Sequence, residues 1–323
     1  MLSPLRIACL VLSGGLFSPF SVFAVDDLAL NKETEQAALV KKGQYIFTLA
    51  GCKACHTDSK NGGEFLAGGR ALETPFGTFY APNITPSKKH GIGTWNEADF
   101  TRALRKGYNP EGGAYYPVFP YAAYTKMRYA DMRALWAYLK TVPVIEKENK
   151  PHDIVFFANR YGNWFWQTLY FDAGVWEDNW RKSPRWNRGG YIANAMAHCG
   201  ECHSPRNLLG AIDEDKAYAG TLEGPEGEVA PNITADVDTG IGTWSHDDLV
   251  YFFEDGALPN GDYSGGLMAE VIDEGLSKAE KEDLHALAEY IASIPAVVNK
   301  IDSGAEEEES EEEEEEEEED RPY

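Results

Sequence analysis

CKACH, from Cys52 to His56, and CGECH, from Cys199 to His203, are two readings of one pentapeptide, C-x-x-C-H. The spacing is that of c-type haem attachment. Two thiols three positions apart can add to the two vinyl groups on one porphyrin edge. The histidine after the second cysteine then lies under the iron as proximal ligand. A single copy would equally fit a redox dithiol or half a zinc site. Two copies, each opening a matching stretch of sequence, favour two covalently bound haems c, attached at Cys52, Cys55, Cys199 and Cys202 with His56 and His203 on the irons.

The repeat extends well beyond the pentapeptides. APNIT occurs at Ala81 to Thr85 and again at Ala230 to Thr234, and GIGTW at Gly91 to Trp95 and Gly240 to Trp244. Both pairs are offset by 149 residues and the haem cysteines by 147. The chain is therefore expected to hold two copies of one domain, at 25–143 and 189–300.

Each copy reads as helices and loops. Asn31 to Ala50 carries a helical apolar face at Ala38, Leu39, Tyr45, Ile46 and Leu49. A second helix is expected to open on a capping box at Thr94 and Glu97 and to stop at Gly107; its counterpart opens at Thr243 and stops at Gly256. The last helices carry Met132, Leu135, Trp136 and Leu139 before Pro143, and Leu284, Leu287, Ala288 and Ile291 before Pro295, the latter opening on a box at Ser277 and Glu280. No clear alternating strand appears, so the expected class is all-α, with a haem at the centre of each small core.

The ends and the middle differ from the repeats. Residues 1–24 carry one basic residue, Arg6, then an apolar run from Ile7 to Phe17, with Val22 and Ala24 before the expected cut: a secretory signal. Export to the periplasm, and to the outer face of the inner membrane, suits c-type haem. Of five cysteines, Cys9 leaves with the signal and the other four sit in the haem motifs, so none remains for a disulfide, a nucleophile or a thiolate ligand. The formal charge is −24, of which fourteen negative charges lie between Glu306 and Asp320; the rest of the chain carries −10. That balance argues against nucleic-acid binding. The tail, 301–323, is expected to be disordered and either solubilising or a lure for a basic partner. Residues 144–188 are rich in aromatics, among them Phe156, Phe157, Tyr161, Trp164, Phe165, Trp166, Phe171, Trp176, Trp180 and Trp186. Such a segment should pack across the copies, or offer a docking face for a dehydrogenase or a membrane surface.

The mature chain has four methionines, Met127, Met132, Met196 and Met268, from which the sixth iron ligands would come. Met196 precedes Cys199 by three residues, on the proximal side, and Met132 reads as core filling. Met268, in a loop after the second helix, is the natural sixth ligand of the second haem. At the 149-residue offset it corresponds to Phe119, while Met127 corresponds to Leu276. The swap suggests that both positions face the distal side of the haem and that Met127 serves the first. An open first haem, or ligation by His90, stays as the alternative. His152, His246 and His285 read as surface residues and His198 as a pocket wall. Asn83, Asn232, Arg70 and Arg206 are candidates for haem propionates, with turn formation the competing role for the asparagines.

With these motifs in place the chain resembles the class I cytochrome c fold. Its doubled form is similar to the dihaem cytochrome c subunits of periplasmic dehydrogenases, such as the membrane-bound alcohol and gluconate dehydrogenases of bacteria. HCGECHSPRNLLGA, from His198 to Ala211, is typical of that group, and the likeness covers roughly residues 35–295. Cytochromes with a YPxFPY loop, here Tyr116 to Tyr121, also place a methionine where Met127 stands. The resemblance implies an electron carrier between a periplasmic dehydrogenase subunit and a downstream acceptor: a basic cytochrome, a quinone or a terminal oxidase. The rival class is a dihaem, peroxidase-like enzyme with an open first haem.

Overall fold

In the computed structural model the described residues are 20–155 and 160–301. Residues 1–19 of the expected signal, Phe156 and Phe157, and the acidic tail lie outside them. From Leu39 onward the chain forms one compact unit; the stretch through Ala38 is a separate one. None of the described helices is long and apolar enough to cross a membrane.

The first copy begins with α1 (Phe20–Leu49) and the short α2 (Cys52–His56), which carries the first pentapeptide. It continues through α3 (Glu97–Lys106), α4 (Tyr121–Tyr124) and α5 (Tyr129–Leu139). Helix α3 ends at Gly107, whose φ of 66° terminates the helix at little cost because glycine has no Cβ. Its start differs from the expectation by two residues. The cap is Asn96, which accepts from the backbone of Ala98 and Asp99, while Asp99 returns a bond to Asn96. Asparagine and aspartate take the box because their short side chains reach backbone N–H groups that Thr94 and Glu97 do not. Phe100 of α3 stacks on Trp136 of α5 at 5.2 Å, the centre of this copy's apolar packing.

The second copy opens with α7 (Pro184–Tyr191), capped by Ser183 with Pro184 in its first turn. Its remaining helices are α8 (His246–Asp255), α9 (Gly266–Glu274) and α10 (Lys281–Ile291). Again the stop is as read, at Gly256, and the cap is shifted, to Ser245 with Asp248. Ser277 lies in a 3-10 turn, and Glu280 flanks α10 instead.

The all-α expectation needs correction. A small antiparallel sheet joins β1 (Ala71–Thr74), β2 (Gly77–Tyr80) and β3 (Asp153–Ile154). Leu72 pairs with Phe79, and Thr78 with Asp153. Strands of four residues and two residues are too short to show an alternating pattern in sequence.

Between the copies, α6 (Arg160–Tyr170) splits the aromatic segment into packed and exposed parts. The ring of Phe171 stands edge-on to Tyr121 at 4.9 Å, and the Trp166 indole N–H donates to the Leu209 carbonyl at 2.9 Å. Trp164, Phe165 and Trp180 remain exposed.

The first and last helices cross in the same way in both copies. A Cβ on Gly43 would overlap the Ala134 carbonyl, and one on Gly189 would overlap the Ala286 carbonyl. The copies then meet reciprocally. Tyr45 of the first donates to Asp283 of the second at 2.6 Å, and Tyr191 of the second donates to Asp131 of the first at 2.5 Å. Each aspartate also pairs with a cation: Asp131 with Lys42 at 2.6 Å, and Asp283 with Arg188 at 2.5 Å. Tyr45 and Tyr191, Lys42 and Arg188, and Asp131 and Asp283 occupy matching places in the repeat. The halves are thus joined about an approximate two-fold relation, as an isologous contact would be.

Candidate haem-binding sites

Gly51, at φ 61°, turns the chain out of α1 into α2. One helical turn then groups Cys52, Cys55 and His56. The imidazole is oriented from behind: His56 Nδ1 lies 2.7 Å from the Pro82 carbonyl oxygen. A carbonyl only accepts, so Nδ1 carries the proton and Nε2 keeps a free lone pair. His203 Nδ1 stands in the same relation to Pro231 at 2.9 Å. Burial holds both imidazoles below the usual histidine range, with the proline carbonyls opposing it. Each imidazole is therefore held neutral, the form that can bind iron.

The thiols are equally informative. Burial pushes Cys52 and Cys199 up to about 12 and Cys202 up to about 11, and it raises Cys55 as well. A redox dithiol needs the opposite, a thiolate stabilised near neutrality. Among the described residues, no three histidine, cysteine or carboxylate groups converge as a metal cluster would. Neutral thiols beside a tautomer-fixed imidazole fit covalent haem, in both copies.

The proline carbonyl reaches each histidine through a close backbone approach. Gly68 N donates to His56 O at 2.9 Å, and Gly220 N to His203 O at 2.8 Å. Both glycines have positive φ, and a Cβ on either would run into the Pro82–Asn83 or Pro231–Asn232 backbone. Thr57 Oγ1 and Ser204 Oγ accept from Leu66 N at 3.0 Å and Tyr218 N at 2.9 Å, fixing the same loops. The asparagines of APNIT act as clips. Asn83 Oδ1 accepts from Thr85 N at 2.9 Å while its Nδ2 donates to Ile145 O at 2.8 Å. Asn232 makes the equivalent bonds to Thr234 and Val297. Their amides are engaged within the protein, which is the turn-forming role and not propionate binding. Arg206 is likewise held by Glu201 at 2.7 Å.

The methionines separate by environment. Met127 is fully buried after α4, and its carbonyl accepts from Arg105 Nη2 at 2.6 Å. Arg105 also donates to the Thr125 carbonyl and so clamps the loop that carries Met127. The Met132 sulfur faces the same guanidinium at 3.7 Å, so it is turned to a cation. Met196 is buried in the π-turn Ile192–Met196. Met268 is half-buried in the first turn of α9, packed against the core on which Cys52, Cys199 and Phe119 also pack.

Two features escaped the sequence. Arg70 is buried in an ion cluster: it bonds Glu270 at 2.5 and 2.9 Å, Glu226 at 2.8 and 3.1 Å, and the Ala54 carbonyl at 2.6 Å. Lys53, inside the first pentapeptide, pairs with Glu274 at 2.6 Å. Helix α9 of the second copy is thereby seated on α2 of the first. No sequence signal announces pairs more than 150 residues apart. The partners of the histidines read as surface residues are the second: His152 is exposed, and His246 and His285 are half-buried. His246 Nε2 and His285 Nδ1 bond each other at 3.0 Å, and His152 Nδ1 accepts from Tyr80 N at 3.1 Å, so these are partnered groups.

Comparison with known proteins agrees with this chemistry. The sequence model of the family described as Cytochrome c matches residues 40–143. The "Diheme cytochrome c-type" protein of Cereibacter sphaeroides is 39% identical over 264 residues, 79% of this chain and 86% of that one. The "Fructose dehydrogenase cytochrome subunit" of Gluconobacter japonicus is 37% identical, over 82% of this chain and 54% of that one. The "Alcohol dehydrogenase (quinone), cytochrome c subunit" of Gluconobacter oxydans is 34% identical, over 90% of this chain and 62% of that one. The chain thus spans little more than half the length of the latter two. It belongs to the cytochrome c family, whose cofactor is covalently bound haem c.

Proposed function

We propose that this chain is a two-haem electron carrier of the periplasm, built from two tandem class I cytochrome c domains. The observation that carries the reading is the repeated Nδ1–proline carbonyl geometry at His56 and His203, 147 residues apart. Cys52 and Cys55 hold the first haem and Cys199 and Cys202 the second, with His56 and His203 as proximal ligands. Met127 and Met268 complete the two irons. The turning of the Met132 sulfur to Arg105, and the clamp of Arg105 on the Met127 loop, support that choice. When bound, haem supplies one-electron exchange, and the protein sets ligand, burial and access.

The donor is a dehydrogenase subunit, as the names of the relatives suggest, and the acceptor is a cytochrome, a quinone or a terminal oxidase. The acidic surface favours a basic partner. Reductive titration of the purified holoprotein tests this. It should take up two electrons per chain, and the reduced protein should not bind carbon monoxide. Uptake of one electron, or carbon monoxide binding at one iron, would move the reading toward the peroxidase-like alternative.

A further inference from the structure

The contact between the copies departs from its two-fold pattern at one place. His198, immediately before Cys199, has φ 43° and ψ 42°. That left-handed conformation costs most residues with a Cβ, histidine less than a bulky or β-branched one. At the 147-residue offset its counterpart is Gly51, which adopts the same conformation at φ 61°. The repeat needs a left-handed residue here, and the first copy supplies glycine. A histidine at a position that the first copy gives to glycine points to work done by its side chain.

The ring shows what that work is. It stands edge-on to Tyr124 of the first copy, with centroids 5.5 Å apart. The Tyr124 hydroxyl donates to the Ala50 carbonyl at 2.8 Å. Ala50 lies two residues before Cys52, and His198 one before Cys199. Tyr124 therefore stitches together the approaches to both pentapeptides. The reciprocal pair would be Gly51 with Asp273, and Asp273 is exposed and has no ring. The stitch runs one way only. His198 Nδ1 is buried without a hydrogen-bond partner.

We propose that His198 is a positioning residue for the first haem site: through Tyr124 it fixes the Ala50–Gly51 turn from which Cys52 and His56 project. The inference rests on reading both pentapeptides as haem sites. It makes the rigidity and potential of one site depend on a residue of the other, because the setting of the proximal ligand tunes the iron. Strain alone predicts the contrary: His198→Gly would restore the residue used in the first copy and relax the backbone.

The test is peptide-level hydrogen exchange on the loaded full-length protein, with haem content measured on the same sample. Haem content below two would count against the two-haem reading and leaves the exchange comparison intact. His198→Gly should raise exchange of the Ala54 and Thr57 amides about tenfold, the scale of a residue on a coupling path. It should also shift the first-site potential without altering its axial-ligand absorption, and His198→Phe should restore both. Where His198→Gly lowers loading of the second site, Tyr124→Leu removes both the ring contact and the bond to Ala50, and should raise exchange of the same Ala54 and Thr57 amides. Unchanged exchange and potential at the first site in both variants would overturn the proposal.

Discussion

The Tyr45 hydroxyl donates to Asp283 at 2.6 Å across 238 residues of chain, and Arg188 completes the site with Nε at 2.8 Å from the same carboxylate. Burial alone would raise the Asp283 pKa. The Arg188 and Tyr45 hydrogen bonds outweigh it, and the carboxyl is held below the usual range. A carboxylate depressed in the folded state adds stability above its unfolded pKa, about 3.9. That stability is lost as pH falls through the lower folded value. Asp283→Asn should therefore cost about 1–3 kcal/mol at pH 7 and flatten the acid limb of melting temperature against pH. A parallel downward shift at every pH would show that the charge is not what Tyr45 and Arg188 recognise.

Gly43 and Gly189 leave no room for a side chain where the terminal helices cross. Gly43→Ala and Gly189→Ala should each destabilise by about 1–3 kcal/mol, because the helices must move apart. Gly174→Ala, at an open position, is the control and should be near neutral. Thermal unfolding of the three variants decides it: equal melting temperatures would mean that the crossing relaxes at no cost.

Arg70 is buried between two glutamates, whereas Lys53 and Glu274 are each about one-third exposed. Removing one partner from a buried ion cluster leaves uncompensated charge, so Arg70→Met should cost about 3–5 kcal/mol, with little salt dependence. Lys53→Met should cost about 1 kcal/mol or less, and less again in high salt. Denaturant titrations at two ionic strengths separate the two cases. A strongly salt-dependent Arg70 effect would contradict a buried cluster.

The sequence made the pentapeptides, the APNIT and GIGTW repeats and the helix stops at Gly107 and Gly256 legible, because each is a local rule written in one or two residue types. The caps at Asn96 and Ser245 were displaced by two residues, since several polar residues compete to cap and only the fold decides which reaches the amides. The sheet was hidden in strands of two to four residues. Asn83 and Asn232 could be marked as important, but whether their amides face cofactor or backbone depends on Ile145 and Val297, more than 60 residues away. The reciprocal Tyr–Asp pairs and the strain at His198 are relations between the copies, and no pattern within one copy carries them.

The axial assignment predicts a clean separation among the methionines. Met268→Ala and Met127→Ala should each remove about half of the methionine-to-iron absorption in the far red and lower one potential, since a thioether favours ferrous iron. Met132→Ala should leave that band intact. A band lost on Met132→Ala and kept on Met127→Ala would exchange their roles.

The most direct test of the whole account is intact and peptide mass spectrometry of the holoprotein after acid–acetone extraction. Two haem masses should survive extraction, one on the peptide carrying Cys52 and Cys55 and one on that carrying Cys199 and Cys202. Free thiols at either pair, or haem released into the acetone, would contradict it.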